Sequence, residues 1–159
     1  MSNETLELTH AIWKDLAGNY YNDMMSHKDS AISLTRHVDS NVRIAALCVC
    51  HQFWKCGCSP EFIQVCFDVA ETDSIENTRL VAMDFLGCMF DGTNDRRLLA
   101  FLANLLIDPT QSMDVRRTAR RVLDEVENGA TLEHLLWPLR RADTLEGIDW
   151  NHIAELSAK

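Results

Sequence analysis

The most reactive side chains of this sequence are thiols that crowd into one short segment. Four cysteines and one histidine fall within the eleven residues from Cys48 to Cys58. Thiolates and imidazoles are zinc ligands, and structural zinc sites usually separate two cysteines by two residues at a turn. Here Cys48 and Cys50 are separated by one residue on a predicted helix, so their side chains point about 200° apart around its axis. We therefore expect core packing and no metal, with a redox pair of Cys56 and Cys58 as the alternative.

The histidines do not form a catalytic or metal-binding pattern. They stand at positions 10, 27, 37, 51, 134 and 152, without the His-x3-His or His-Glu-x2-His spacing of metal hydrolases. Glycine-rich nucleotide-binding motifs, a phosphate loop and a Gly-x-Ser-x-Gly nucleophile motif do not occur either. The sequence therefore predicts no cofactor and no catalytic residue.

Arginines form a second group of chemically capable side chains. Four of them stand between positions 116 and 121, and Arg117, Arg120 and Arg121 share one face of a predicted helix. A planar guanidinium can bind a carboxylate or a phosphate through two parallel hydrogen bonds. Because neighbouring positive charges repel, an acidic group from another molecule would complete the pairing. The alternative is a solvated face with pairs one helical turn apart, Arg120 with Asp124 and Arg121 with Glu125.

The charge balance bears on the kind of partner. The 159 residues carry 15 lysines and arginines against 24 aspartates and glutamates, a formal net charge of -9. This charge repels polyanions, which disfavours nucleic acids and anionic membranes. Eight of the basic residues, with six acidic ones, lie in the segment 96–141. We therefore expect a protein partner with an acidic segment.

The apolar stretches bear on the location of the protein. None approaches the roughly 20 residues of a membrane span, and the first residues lack the basic start and apolar run of a secretory signal. We expect no membrane association, a cytoplasmic location and six reduced cysteines.

An internal repeat organises the elements that position these residues. Arg43, Arg79 and Arg116 stand 36 and 37 residues apart, and each is followed three residues later by an alanine, Ala46, Ala82 and Ala119. Apolar residues continue at helical spacing after each arginine, which predicts a helix with one buried face. Gly57, Gly92 and Gly129 are predicted to end these helices. A second apolar helix follows each glycine, so the predicted unit is a helical hairpin.

The repeated segment resembles the turn and second helix of HEAT and HEAT-like repeats, whose signature is an acid, then Val-Arg, then Ala. It is best seen in residues 39–47, with echoes at 77–83 and 114–119, and the resemblance covers roughly residues 29–142. The family implies that the repeat arginines and alanines are structural, each arginine pairing with an acid in the preceding turn. Asp73 has the required spacing before Arg79, whereas Asp39 and Asp114 are the alternatives for Arg43 and Arg116. Tetratricopeptide repeats are the second candidate, but their Trp, Leu-Gly and Tyr positions are missing.

These patterns predict an all-α fold, a right-handed superhelix of about four HEAT-like helical hairpins. One domain would span residues 1–159, with irregular N-terminal helices over 1–40, clear repeats over 41–142 and a capping helix over 143–159. Irregular terminal units are expected because the ends of a stack must be closed.

The resemblance places the second helix of each hairpin on the concave surface. The expected partner-binding residues form an apolar end and a basic end, namely Ile44, Leu47, Leu80 and Met83, then Arg117, Arg120 and Arg121. An alternative is that the N-terminal helix covers the apolar end. We expect a non-catalytic protein-interaction module, acting as an adaptor, inhibitor or chaperone-like scaffold. The alternative is an enzyme or lyase-like subunit on the same scaffold, similar to phycobilin lyases or DNA glycosylases.

Overall fold

A computed structural model describes residues 28–54, 59–130, 145 and 147–158. Helices make up most of this part, and no strand occurs in it, so the all-α prediction is confirmed for the described residues. The helices are α1 Lys28–Leu34, α2 Ser40–Trp54, α3 Pro60–Thr72, α4 Glu76–Met89, α5 Arg96–Ile107, α6 Met113–Asn128 and α7 Trp150–Ser157. Most of the region 1–40 with its predicted N-terminal helices, and the second helix predicted after Gly129, lie outside the described residues, as do Cys56, Gly57 and Cys58.

Side-chain caps explain where several helices begin. The carboxylate of Asp95 accepts a hydrogen bond from the backbone N–H of Leu98, at 2.9 Å, and the Ser112 hydroxyl accepts one from the backbone of Val115, at 3.2 Å. These caps satisfy N–H groups that have no partner within the first turn of a helix. Helix α3 begins instead with Pro60, whose fixed φ suits the first helical position.

Two predicted glycine stops adopt the left-handed conformation. Gly92 has φ 64° and Gly129 has φ 79°, where a side chain would be strained. The loop that contains Gly92 also closes the end of α6, because the N–H groups of Gly92 and Asn94 donate to the carbonyls of Glu125 and Val126, each at 3.0 Å. Gly129 thus directly follows the end of α6, whereas α4 ends at Met89 and Gly92 lies in the turn three residues later.

The chain divides into two compact units, Met1–Phe85 and Leu86–Lys159, and the division falls within α4. In the first unit α1 packs against α2, and in the second α5 packs against both α6 and α7. Helices that are near one another in the chain therefore pack against each other in both units. The number of hairpins and the handedness of their stacking stay predictions.

The core of each unit is built from the repeated apolar columns. The three repeat alanines are fully buried, which marks them as the positions of closest helix contact. The position one residue before each repeat arginine is also fully buried, and it holds Val42, Thr78 and Val115. Helix α5 contributes a stripe of leucines at helical spacing, Leu98, Leu102 and Leu106, all without exposed surface.

Candidate functional site

Two repeat arginines, Arg79 and Arg116, each contact a backbone carbonyl near the end of the preceding helix. The Nε of Arg79 donates to the carbonyl of Ala70 at 3.1 Å, and that of Arg116 donates to Leu106 at 2.9 Å. Carbonyls in the last turn of a helix lack partners within it and carry partial negative charge, so a cation is stabilising there. The structural role predicted for these arginines therefore has a physical basis in this chain.

The acidic partner of Arg43 differs from the predicted one. Its guanidinium holds both carboxylate oxygens of Asp73, with Nε–Oδ2 and Nη2–Oδ1 distances of 2.7 Å. It also donates to the carbonyls of His37 and Val38. Asp73 was expected to face Arg79, and Asp39 was the expected partner of Arg43. The expectation for Arg43 fails because Asp73 stands where α3 ends, beside the start of α2, a proximity that sequence spacing does not show.

The predicted apolar end is mostly core. Leu47 and Met83 have no exposed surface, whereas Ile44 and Leu80 are half-buried. In α2 nearly every position from Val42 to Cys50 is buried, because neighbours cover the helix on more than one side. Leu47 and Met83 are therefore core residues, and the surface left to a partner at this end is that of Ile44 and Leu80.

The described members of the first cluster, Cys48, Cys50 and His51, are buried or half-buried. Cys48, Cys50, Cys66 and Cys88 form no disulfide, and burial raises the pKa of both the Cys48 and the Cys66 thiol. His51 stacks on Phe85 with ring centroids 4.4 Å apart, and burial lowers the pKa of its imidazole. Among the described residues, no group of three or more His, Cys, Asp or Glu side chains is placed to hold a metal ion.

The arginine cluster, Arg117, Arg120 and Arg121, lies half-buried on α6 in the second unit. Arg121 pairs with Glu125 one turn further on, at 2.6 Å, which confirms one of the two pairs predicted for a self-paired face. Arg117 is 3.5 Å from the exposed carboxylate of Asp114. Part of the positive charge is thus already balanced within the helix.

Gly87 of α4 makes room for the buried carboxylate of that pair. Glu125 is only 8% exposed, and a Cβ added at Gly87 would lie 2.7 Å from its Oε2. The positions aligned with Gly87 in the other two repeats hold His51 and Asp124. A glycine therefore stands only in the repeat where Glu125 approaches this position. The position of Glu125, and through it that of Arg121, depends on a glycine that sequence reasoning did not single out.

A cavity of about 220 Å³ opens beside the arginine cluster. Its apolar lining comes from the end of α5, from α6 and from the C-terminal segment, and consists of Leu106, Leu123, Ile148 and Ile153. Its charged and polar lining is Arg120, Arg121, Asp124, Glu127, Asp149 and His152. A group with an apolar stem and a charged end fits such a lining.

The C-terminal helix α7 reaches this cavity, which the sequence did not reveal. Ile153 is buried, and His152 Nε2 lies 2.7 Å from the Glu127 carboxylate of α6. A capping helix was predicted for 143–159, but its contact with the residues around the arginines was not. The available signal was charge, because residues 142–159 carry four acids and one lysine.

A larger cavity, of about 410 Å³, lies beside the Arg43–Asp73 pair in the first unit. Its polar groups are largely bound to one another or to the backbone. The Thr35 hydroxyl donates to the carbonyl of Ile32, and the Thr72 hydroxyl donates to that of Asp68. Arg43 and Asp73 hold each other through two hydrogen bonds.

Comparison with known proteins gives no relative. Neither a protein-family model, nor a curated protein, nor a solved structure matches the chain significantly. The likeness to HEAT repeats therefore rests on the repeated residues and on the paired helices. In the described part of the chain, no helix combines the length and the apolar character that crossing a bilayer requires.

Proposed function

We propose that this chain is a non-catalytic protein-interaction module of about four HEAT-like hairpins in a right-handed superhelix. It binds an acidic segment of a protein partner at the arginine cluster of α6. The observation that supports the proposal most directly is the cavity on α6, where Arg120 and Arg121 stand over an apolar lining. That combination accepts an acidic side chain together with the apolar residue beside it.

The size of the cavity favours a protein side chain over a small-molecule ligand. Its volume of about 220 Å³ is below the roughly 300–1,000 Å³ usual for small-molecule pockets. The neighbouring carboxylates of Asp124, Glu127 and Asp149 would repel a chain of phosphates, whereas a single carboxylate can reach the guanidinium groups. An acidic peptide therefore suits the site better than a nucleic acid does.

The test is the binding of a fluorescent peptide of alternating glutamate and leucine residues, measured by anisotropy. The variant carries Arg117→Glu and Arg120→Glu, and it keeps Arg121 because Glu125 is buried against that residue. We expect affinity to fall about tenfold or more, since hydrogen bonds to charged groups contribute about 1.5–3 kcal/mol.

The matched control reverses the same charge at two exposed arginines, Arg96→Glu and Arg97→Glu at the start of α5. The control should lose much less affinity, because these residues belong neither to the arginine cluster nor to the lining of the cavity. Circular dichroism should show both proteins to be equally helical. Equal losses in the two variants, or no binding by the unaltered protein, would overturn the proposal.

A further inference from the structure

The larger cavity of the first unit, which we call the α1–α3 cavity, has two charged groups in its lining that form no ion pair. Arg36, just after α1, and Asp68 of α3 both line it, and both are exposed. Within the described residues the Arg36 guanidinium has no hydrogen bond or ion pair. The Asp68 carboxylate accepts one hydrogen bond, from Gln64 Nε2 at 2.6 Å. One positive and one negative group are therefore left to a ligand.

The buried Arg43 adds a hydrogen-bond donor to the same lining. Its Nε and Nη2 each donate once to Asp73, and its Nη1 donates to the carbonyls of His37 and Val38. Because a guanidinium has five N–H groups, the second N–H of Nη2 has no partner within the described residues. The charge of Arg43 is balanced by Asp73, but this N–H can donate to a ligand.

Helix α3 supplies the apolar part of the lining. Val65 and Val69, one turn apart, are 3% and 8% exposed, and they stand on the same face as Asp68 and Thr72. The volume of about 410 Å³ lies within the roughly 300–1,000 Å³ usual for small-molecule pockets. Size therefore favours a small molecule here, whereas it favours a protein side chain in the cavity on α6.

We propose that the α1–α3 cavity binds a free α-amino acid with an apolar side chain. Its carboxylate accepts hydrogen bonds from Arg36 and Arg43, and its ammonium donates to Asp68. Its side chain packs against Val65 and Val69. A ligand with a single charge would leave Arg36 or Asp68 without a partner, and an internal residue of a protein carries neither charge on its backbone. This inference does not depend on the proposed function, whose site belongs to the second unit.

Three probes with the same apolar group test the parts of this proposal. They are leucine, 4-methylpentanoate, which lacks the ammonium, and leucinamide, which lacks the carboxylate. Each is titrated at millimolar concentration into the intact chain, and binding is followed by the NMR shifts of the backbone amides of residues 34–36 and 65–73. We expect leucine to bind several-fold to about tenfold more tightly than the other two, because each of them lacks one charge-assisted contact.

Two variants assign the charges to their residues. Arg36→Gln should weaken the binding of leucine and 4-methylpentanoate but not that of leucinamide. Asp68→Asn should weaken the binding of leucine and leucinamide but not that of 4-methylpentanoate. Because both positions are exposed, both variants should fold as the unaltered protein does. The matched controls are Arg96→Gln and Glu71→Gln, which remove charges of the same signs from exposed positions outside the lining and should leave binding unchanged.

The outcomes that overturn the proposal are specific. If leucine, methionine and phenylalanine all leave the amide shifts unchanged, the cavity is not an amino-acid site. Binding of 4-methylpentanoate as tight as that of leucine, or equal losses in Arg36→Gln and Arg96→Gln, would show that the paired charges are not recognised. The glutamate–leucine peptide should bind Arg36→Gln and the unaltered protein alike, so the failure of one proposal leaves the other in place.

Discussion

At the scale of single residues, the buried hydroxyl of Thr78 departs from the apolar pattern of its repeat position. Thr78 is fully buried, and its Oγ1 has no hydrogen-bond partner among the described residues. The aligned positions hold valine, in Val42 and Val115. A buried polar group without a partner costs about 1–3 kcal/mol, whereas an apolar group of the same shape does not. The threonine therefore lowers stability at a position that the fold would fill with valine.

We expect Thr78→Val to raise the free energy of unfolding by about 1 kcal/mol. The measurement is chemical denaturation followed by circular dichroism. The reverse change, Val115→Thr, introduces a hydroxyl at the aligned buried position and should lower stability by a similar amount or more. A fall in stability for Thr78→Val would mean that its hydroxyl has a stabilising role that this packing does not explain.

The partly buried imidazole of His51 should make the free energy of unfolding depend on pH. Burial lowers the pKa of His51 from its ordinary value of 6.5, so the folded state prefers the neutral ring. The unfolded chain takes up the proton first as the pH falls. The contribution of this histidine to stability is therefore complete above about pH 6.5 and is lost as the pH falls towards the lower folded pKa.

The variant that isolates this effect is His51→Phe, which keeps an aromatic ring against Phe85 and cannot titrate. Between pH 7.5 and pH 5.5, about one unit either side of the ordinary histidine pKa, the unaltered protein should lose more stability than the variant. Denaturation midpoints at the two pH values give the comparison. Equal losses would show that His51 is solvated enough to titrate alike in both states.

At the scale of the elements, Arg43 and Asp73 join the start of α2 to the end of α3. The two side chains are 11% and 6% exposed. Removing one member of a buried ion pair leaves an uncompensated charge, which typically costs about 3–5 kcal/mol. Asp73→Asn should therefore destabilise the protein by several kcal/mol, offset in part by the carbonyl partners that Arg43 keeps at His37 and Val38.

Removing both charges is the informative comparison for this contact. The double variant Arg43→Met with Asp73→Asn should recover part of the stability that Asp73→Asn loses, because no charge then stays buried. Thermal unfolding of the single and double variants gives the coupling between the two positions. If the stability losses of the two single variants add up to the loss of the double variant, Arg43 and Asp73 do not stabilise each other.

At the scale of the whole molecule, the net charge of -9 predicts poor binding to duplex DNA. The arginine cluster is small and stands among acidic side chains, whereas binding to a duplex requires basic groups spread along its phosphates. We expect no gel shift of a duplex at about 0.15 M salt, under conditions in which the acidic peptide binds. Micromolar binding with a steep salt dependence would contradict this prediction and favour the glycosylase-like alternative.

The sequence alone determined the helices of the repeats, the glycine that ends α6 and the buried alanine column. These features depend on periodicity within one helix and on local backbone geometry, which neighbouring residues specify directly. The arginine cluster was also evident, because charge and spacing on one helix are local properties. The acidic character of the last residues was readable in the same way.

Only the tertiary structure decided which groups from distant parts of the chain meet. The pairing of Arg43 with Asp73, the burial of Leu47 and Met83, and the approach of α7 to the arginine cluster depend on how helices pack. Helical angles give the direction of a side chain on its own helix but not what the neighbouring helices cover. For the same reason the sequence located the basic residues of the candidate site, whereas packing decided that acidic side chains of the same chain stand among them.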